Sequence, residues 1–319
     1  MSSVNANTRL TLSKHKVSLL RDIMRNPFSY LLALPAMAYV FIFNYLTLPY
    51  IVMAFQKYSY RTGLWGSEFV GLKNFEFFFV SARANLVTYN TIFLNILFIS
   101  TGTVAAVALA LLLNEVRRKA FLRVTQASLL FPNFISWVIV SYIAYAFFST
   151  QYGWLNTLLT TVGAQPINMY ANAGYWPVAL VIIRLWKGVG MSSVIYMATI
   201  TGFDEGLYEA AKIDGATRLQ QTLFITVPLL VPTICILTLL SIGRIFYGDF
   251  QMIYALVADN GILMQTTDVI DTYVFRALRQ TGDPANAMAV GLYQALVGFV
   301  MVFSSNQLVR KVFPDGAIF

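Results

Sequence analysis

The 319 residues are 58% hydrophobic and only 11% charged, with a mean hydropathy of +0.65. Soluble domains carry roughly 25% charge, so a soluble globular protein is excluded. The net charge of +8 does not point to nucleic acid, because the basic residues stand mostly at the ends of apolar runs, where they set membrane topology. A single histidine, His15 in the basic tail, and a single cysteine, Cys235 in an apolar run, exclude a histidine-based catalytic triad, a His-rich metal site and an internal disulfide.

Residues 1–27 are a basic tail carrying Arg9, Lys14, Lys16, Arg21 and Arg25 against Asp22. Within it, Leu10 to Met24 reads either as an amphipathic helix on the membrane surface or as a disordered tail. The apolar run that follows is too long for a signal-peptide core and ends without a small-residue cleavage site. It reads as an uncleaved membrane helix with its N-terminus in the cytoplasm.

Crossing ~30 Å of hydrocarbon takes about 20 helical residues. Six segments meet that length, roughly 28–55, 86–113, 124–148, 175–200, 228–256 and 285–309. The expected fold is therefore an all-α membrane protein of six helices over 28–311, with a short tail at 312–319. Arg117, Arg118, Lys119 and Arg123 crowd the second connection, Lys212 and Arg218 lie in the fourth, and Arg310 and Lys311 follow the last helix. Ser149 to Gly174 carries no basic residue. This alternation places both termini and the fourth connection in the cytoplasm. The first and fifth connections are mixed, with Lys57, Arg61, Lys73 and Arg83 weakening the rule locally. The aromatic-rich first connection suits an interfacial belt.

The fourth connection, 203–227, is the longest polar interruption in the second half of the chain. Glu205 to Ile213 has helical spacing, with Leu207, Ala210 and Ala211 on one face. Gly215 suits a left-handed position that ends this helix. Thr217 with Gln220 three residues on is a capping box that starts a second helix. Pro228 then fits the first turn of the next apolar span, and Asp283-Pro284 begins the last one.

Glu209-Ala210-Ala211, then Asp214-Gly215-Ala216, closing on Ile225-Thr226-Val227-Pro228, resembles the EAA loop of ABC importer permeases, with Val227 in place of the usual Leu. Gly71-Leu72-Lys73-Asn74-Phe75 is similar to an element of sugar-importer permeases. Thr267-Asp268-Val269-Ile270-Asp271-Thr272, Ala289-Val290-Gly291-Leu292 and Trp186-Lys187 with Gly190 resemble the LplB-type branch, whose members carry poly- and oligosaccharides. The resemblance covers the chain from about Phe28 onward and implies a type I ABC importer permease fold. It also implies a second homologous permease, two cytoplasmic ATPase subunits and a periplasmic or lipid-anchored solute-binding protein. In that reading the loop is a coupling helix seated on the ATPase. Glu209, Ala210, Ala211, Asp214, Gly215, Ala216, Ile225 and Pro228 are its coupling residues, Glu209 meeting a basic group and Gly215 making the turn. No Gly-x-x-x-x-Gly-Lys-Ser/Thr phosphate loop occurs in this chain. ATP and magnesium are therefore expected on the partner ATPase, with no cofactor or enzymatic activity here.

Ionisable residues inside a bilayer are costly and face protein or a watery cavity. Arg184 and Lys187 share a face of the fourth segment. Ser241, Arg244, Tyr247, Gly248 and Gln251 form a polar stripe in the fifth, beside Asp249, and Asn133 follows Pro132 in the third. Arg184, Lys187, Arg244, Tyr247, Asp249, Gln251 and Asn133 are thus candidates for a saccharide path. Their aromatic faces and hydrogen-bonding groups suit sugar rings and hydroxyls. Several cations favour an acidic oligosaccharide, and the resemblance to importer permeases implies an alginate-like one. The structural alternative is that Arg184 or Arg244 pairs with Asp249 or with helix-end carbonyls. An ion-coupled secondary transporter of a small solute would need inverted repeats and midplane acids. A membrane-embedded enzyme would need a catalytic constellation. Neither pattern is visible in the sequence.

Overall fold

The computed structural model describes residues 24–81 and 83–312. The expectations for the N-terminal stretch up to residue 23 and for the tail beyond Val312 lie outside the described residues. In the N-terminal unit, which runs to Val52, Pro27–Val40 is a helix with Pro35 inside it and no buried residue. It continues as a π turn over Phe41–Tyr45 and a 3-10 stretch over Leu48–Phe55, giving a first span of Pro27–Phe55.

In the second unit the only strands among the described residues are Gln56–Lys57 and Glu68–Phe69, paired antiparallel with Gln56 opposite Phe69. The Gly71–Phe75 element closes this excursion. Gly71 takes φ +66°. The buried Asn74 amide donates to the carbonyls of Ala54 at 2.9 Å and Gln56 at 2.8 Å, so backbone groups leaving the first span keep partners.

Among the described residues, five helical spans are long and apolar enough to cross a bilayer, and a bent pair brings the number to six. The second span, Ala84–Asn114, and the fourth, Ala173–Ile200, form the most extensive helix pair. Ala106 and Ala110 let Tyr196 and Ile200 approach closely at one end, and Leu94 and Phe98 meet Leu180 and Ile183 at the other. The sixth span runs from Pro284 to Lys311. Asp283 starts it as expected, its Oδ1 accepting from the Ala285 N–H at 2.9 Å, and Gly282 before it is left-handed at φ +66°.

Two of the six segments depart from the single helices expected. The third is Lys119–Phe134 followed by Trp137–Phe148, bent by 98°. Pro132 lacks an N–H and crowds the preceding turn, so the helix tightens to a 3-10 turn at Phe131–Phe134 and stops. Ser136 restarts it by accepting from the Ile139 N–H. The fifth, expected over 228–256, ends at Ile242, and a separate helix occupies Phe250–Val257. Two glycines mark that break. A side chain at Gly243 would strike Val302 at 2.5 Å, and one at Gly248 would strike Val269 at 2.5 Å. The fifth span also starts earlier than expected, at Arg218. Pro228 lies in the first turn of Val227–Ile242, as expected, but a π turn at Thr222–Thr226 joins that helix to Arg218–Gln221, so the span is continuous from Arg218.

Candidate functional site

Two places gather the sequence candidates. The first is the elbow between the fourth and fifth spans. Asp204 caps Glu205–Ile213 by accepting from the Gly206 N–H. That helix ends in two reverse bonds, Gly215 N–H to Lys212 O at 3.1 Å and Ala216 N–H to Ala211 O at 2.8 Å. This is the Schellman pattern, and Gly215 sits at φ +83°, as expected. No atom lies within 4 Å of a Cβ placed there, so the glycine answers a backbone need and not a packing one. Thr217 and Gln220 form the expected capping box. Tyr208 and Thr226 hydroxyls meet at 3.0 Å and tie the two arms together. Arg218 reaches Glu115 at the end of the second span at 2.8 Å, but both side chains are over 40% exposed, so the pair adds little stability. Glu209 is exposed, and Ile213, Leu219 and Phe224 expose 86%, 68% and 75% of themselves.

The second place is a cavity of about 1410 Å³ among the second to fifth spans. All of Asn133, Arg184, Lys187, Arg244, Tyr247, Asp249 and Gln251 line it, with Phe98 and Trp137 among its aromatic walls. Its three cations face one carboxylate. The stripe expected along one helix is instead a turn, because the helix ends at Ile242 and Asp249 caps the next one, accepting from the Met252 N–H at 3.2 Å.

The cations are not equivalent. Lys187 is buried and donates to the carbonyls of Pro132, Asn133 and Ile135 at 3.3, 2.8 and 2.6 Å, with the Trp137 ring 5.2 Å away. Its protons answer carbonyls at the third-span break, of which Pro132 O also accepts from the Ile135 N–H at 3.2 Å. One turn on, Gly190 lets that break approach, since a Cβ there would meet Leu129 O at 2.0 Å. Arg184 pairs with Asp249 at 2.6 Å and lies 4.7 Å over the Phe98 ring. Arg244 is exposed to the cavity and has no side-chain partner among the described residues.

Sequence reasoning missed what holds the broken fifth span. Non-helical backbone at membrane depth needs protein partners or cavity water. Asn95, from the second span, donates to the carbonyls of Ile245 and Tyr247 at 2.9 and 3.0 Å. Gln294, from the sixth, donates to Phe246 O at 2.7 Å. Asp271 accepts from the Gly248 N–H at 2.5 Å. Burial pushes the Asp271 carboxyl above the ordinary carboxylate range, Asp249 adds to the rise, and the N–H groups of Gly248 and Gln294 oppose it. Amide side chains inside the apolar spans, Asn95 among those of the second and Gln294 among those of the sixth, were the available signal.

The Thr267–Arg276 motif has a structural role. Asp268, its side chain fully buried, is paired with Arg276 and with Arg83 Nε at 3.1 Å, and accepts from the Thr272 hydroxyl. Asn90 of the second span donates to the main-chain carbonyls of Gln265 and Asp268, both at 3.1 Å. The fifth connection is thereby knotted to the second span.

Residues 99–314 match the family described as "Binding-protein-dependent transport system inner membrane component". The chain is 35% identical over 298 residues to the polygalacturonan/rhamnogalacturonan transport system permease protein YteP of Bacillus subtilis (strain 168), covering 93% of this chain and 92% of that one. It is 32% identical to Protein LplB of the same organism over 300 residues, 94% of each chain. Its fold matches a chain in the crystal structure of a bacterial alginate ABC transporter in complex with an alginate pentasaccharide-bound periplasmic protein. The TM-score is 0.82 at 31% identity, over 92% of this chain and 98% of that one.

Proposed function

Because the chain belongs to the family of binding-protein-dependent inner membrane transport components, as the permease of a sugar ABC importer and not an enzyme, we propose that it passes an acidic oligosaccharide into the cell. The observation that carries this reading is the imbalance of charge in the cavity. Among the described residues Arg244 stands without a carboxylate, Arg184 shares Asp249, and aromatic walls lie beside them. A uronate chain offers one carboxylate per ring for such cations and apolar C–H faces for the aromatics. The relatives named for polygalacturonan and alginate support the same chemistry.

The elbow transmits the work. Its exposed apolar side chains and the exposed Glu209 suit a cleft in a cytoplasmic ATPase, which binds ATP and magnesium and drives the fourth and fifth spans through the joined arms. A second, homologous permease closes the pathway, two ATPase subunits serve the two elbows, and a periplasmic or lipid-anchored binding protein delivers the sugar at the outer mouth. Both termini lie in the cytoplasm. The breaks in the third and fifth spans are a feature that ion-coupled carriers share, but the family membership sets that alternative aside. The test is ATPase stimulation in the assembled importer by its binding protein loaded with acidic or neutral oligosaccharides. Stimulation by acidic sugars above neutral ones supports the reading, and the reverse order refutes it.

A further inference from the structure

The geometry points to Asp249 as a built-in competitor that parks Arg184 between substrate visits and sets how tightly an anionic sugar is held. This inference rests on the acidic-oligosaccharide reading above. The two partners differ in mobility. Asp249 is anchored, because its Oδ1 accepts from Met252 N–H at the start of Phe250–Val257 while Oδ2 takes Arg184 Nη1 at 2.6 Å. Arg184 is a long side chain, 39% exposed in the cavity wall, lying over the Phe98 ring. Its contact with Asp249 uses one nitrogen, whereas a guanidinium has five N–H donors in a planar fork. The remaining donors match a carboxylate in the two-bond arrangement that guanidinium groups favour.

A path through a membrane needs sites that bind well enough to admit a solute and weakly enough to release it. An unopposed guanidinium in this cavity would hold a uronate strongly. With Asp249 fixed beside it, the carboxylate of the sugar and that of the protein compete for the same cation, so the departing sugar is replaced and no bare charge is left behind. Asp249 thus acts as a positioning residue through Arg184, and Arg184 touches substrate. Arg244, without such a competitor among the described residues, is the stronger anion contact.

The test uses the complete importer in proteoliposomes with its binding protein, and oligogalacturonate as the probe against its methyl ester, which keeps the rings and removes the charge. Initial uptake is measured against the concentration of loaded binding protein. Asp249→Asn keeps the helix cap, since asparagine caps as well as aspartate, and removes the competing charge. It is expected to lower the half-saturating concentration and also the maximal rate, each by roughly tenfold, the scale of one charge-assisted hydrogen bond. Arg184→Gln is expected to raise the half-saturating concentration by a similar factor. If the pair merely ties two spans together, both variants instead raise it alike, and the exchanged pair Arg184→Asp with Asp249→Arg restores uptake; either result overturns the proposal. Equal uptake of acid and ester by the wild type would refute the acidic reading itself, separately from the behaviour of the variants.

Discussion

The ammonium of Lys187 lies 2.6 Å from the carbonyl oxygen of Ile135, inside the break that bends the third span by 98°. A buried cation from the fourth span thus holds the two halves of the third in register. Lys187→Met would leave the Asn133 and Ile135 carbonyls without this donor, each at a cost of about 1–3 kcal/mol, while Pro132 O keeps the Ile135 N–H. The expected outcome is a clear loss of thermal stability in the solubilised complex and loss of most uptake. A variant with wild-type melting and uptake would refute the role given to this lysine.

Gly190 makes a different demand at the same crossing. Even Gly190→Ala drives a methyl group into the Leu129 carbonyl, which is backbone and has nowhere to go. Overpacking of this kind costs typically ~1–3 kcal/mol, and more where backbone must move. The variant should reach the membrane in much lower yield, measured by quantitative blotting against a tagged wild type.

At the elbow the obstacle is conformational. Gly215 has open space around it but takes φ +83°. A side chain there costs roughly 1–2 kcal/mol, least for asparagine. Gly215→Asn should therefore keep most transport. Gly215→Val should insert normally yet fail to convert ATP hydrolysis into uptake. Unimpaired uptake by the valine variant would count against the elbow as the coupling element.

The broken fifth span depends on donors from its neighbours. Asn95→Leu removes the partner of Ile245 O and Tyr247 O, and Gln294→Leu that of Phe246 O. Each should destabilise the protein by about 1–3 kcal/mol or more. Because both amides hold one turn, the double variant should cost less than the sum of the singles. Denaturant titration of the solubilised complex measures all three.

Asp271 adds a pH dependence. Its folded pKa lies above its unfolded value, so its contribution to stability is complete below the unfolded carboxylate range and is lost as pH rises through the folded value. Asp271→Asn keeps an acceptor for Gly248 N–H and cannot ionise. The melting temperature of the wild type relative to this variant should fall as pH rises from acid to neutral. A difference independent of pH would contradict that assignment.

Much of this was legible in the residues. Local chemistry alone placed the Gly215 turn, the Thr217–Gln220 box and the Asp283 cap, because each depends on neighbours within a few positions. The breaks at Phe131–Ser136 and Gly243–Asp249 were not legible, since an apolar run looks the same whether or not it is interrupted. Pro132, Gly243 and Gly248 permit the interruptions, but the partners that stabilise them come from elsewhere in the chain, from Lys187 and Gly190 and from Asn95, Gln294 and Asp271. The cavity residues were found by type, as ionisable groups in apolar surroundings. Their division of labour, with Lys187 on carbonyls, Arg184 on Asp249 and Arg244 facing open space, depends on distances that no spacing encodes.

The most direct measurement is ATP-driven uptake of oligogalacturonate and of its methyl ester by the complete importer in proteoliposomes, for the wild type and for Arg244→Gln. The wild type should carry the acid at least about tenfold faster than the ester, and Arg244→Gln should erase most of that preference, the scale expected of one charge-assisted contact. Equal transport of acid and ester by the wild type, or a preference untouched by Arg244→Gln, would contradict a path built around unpaired positive charge.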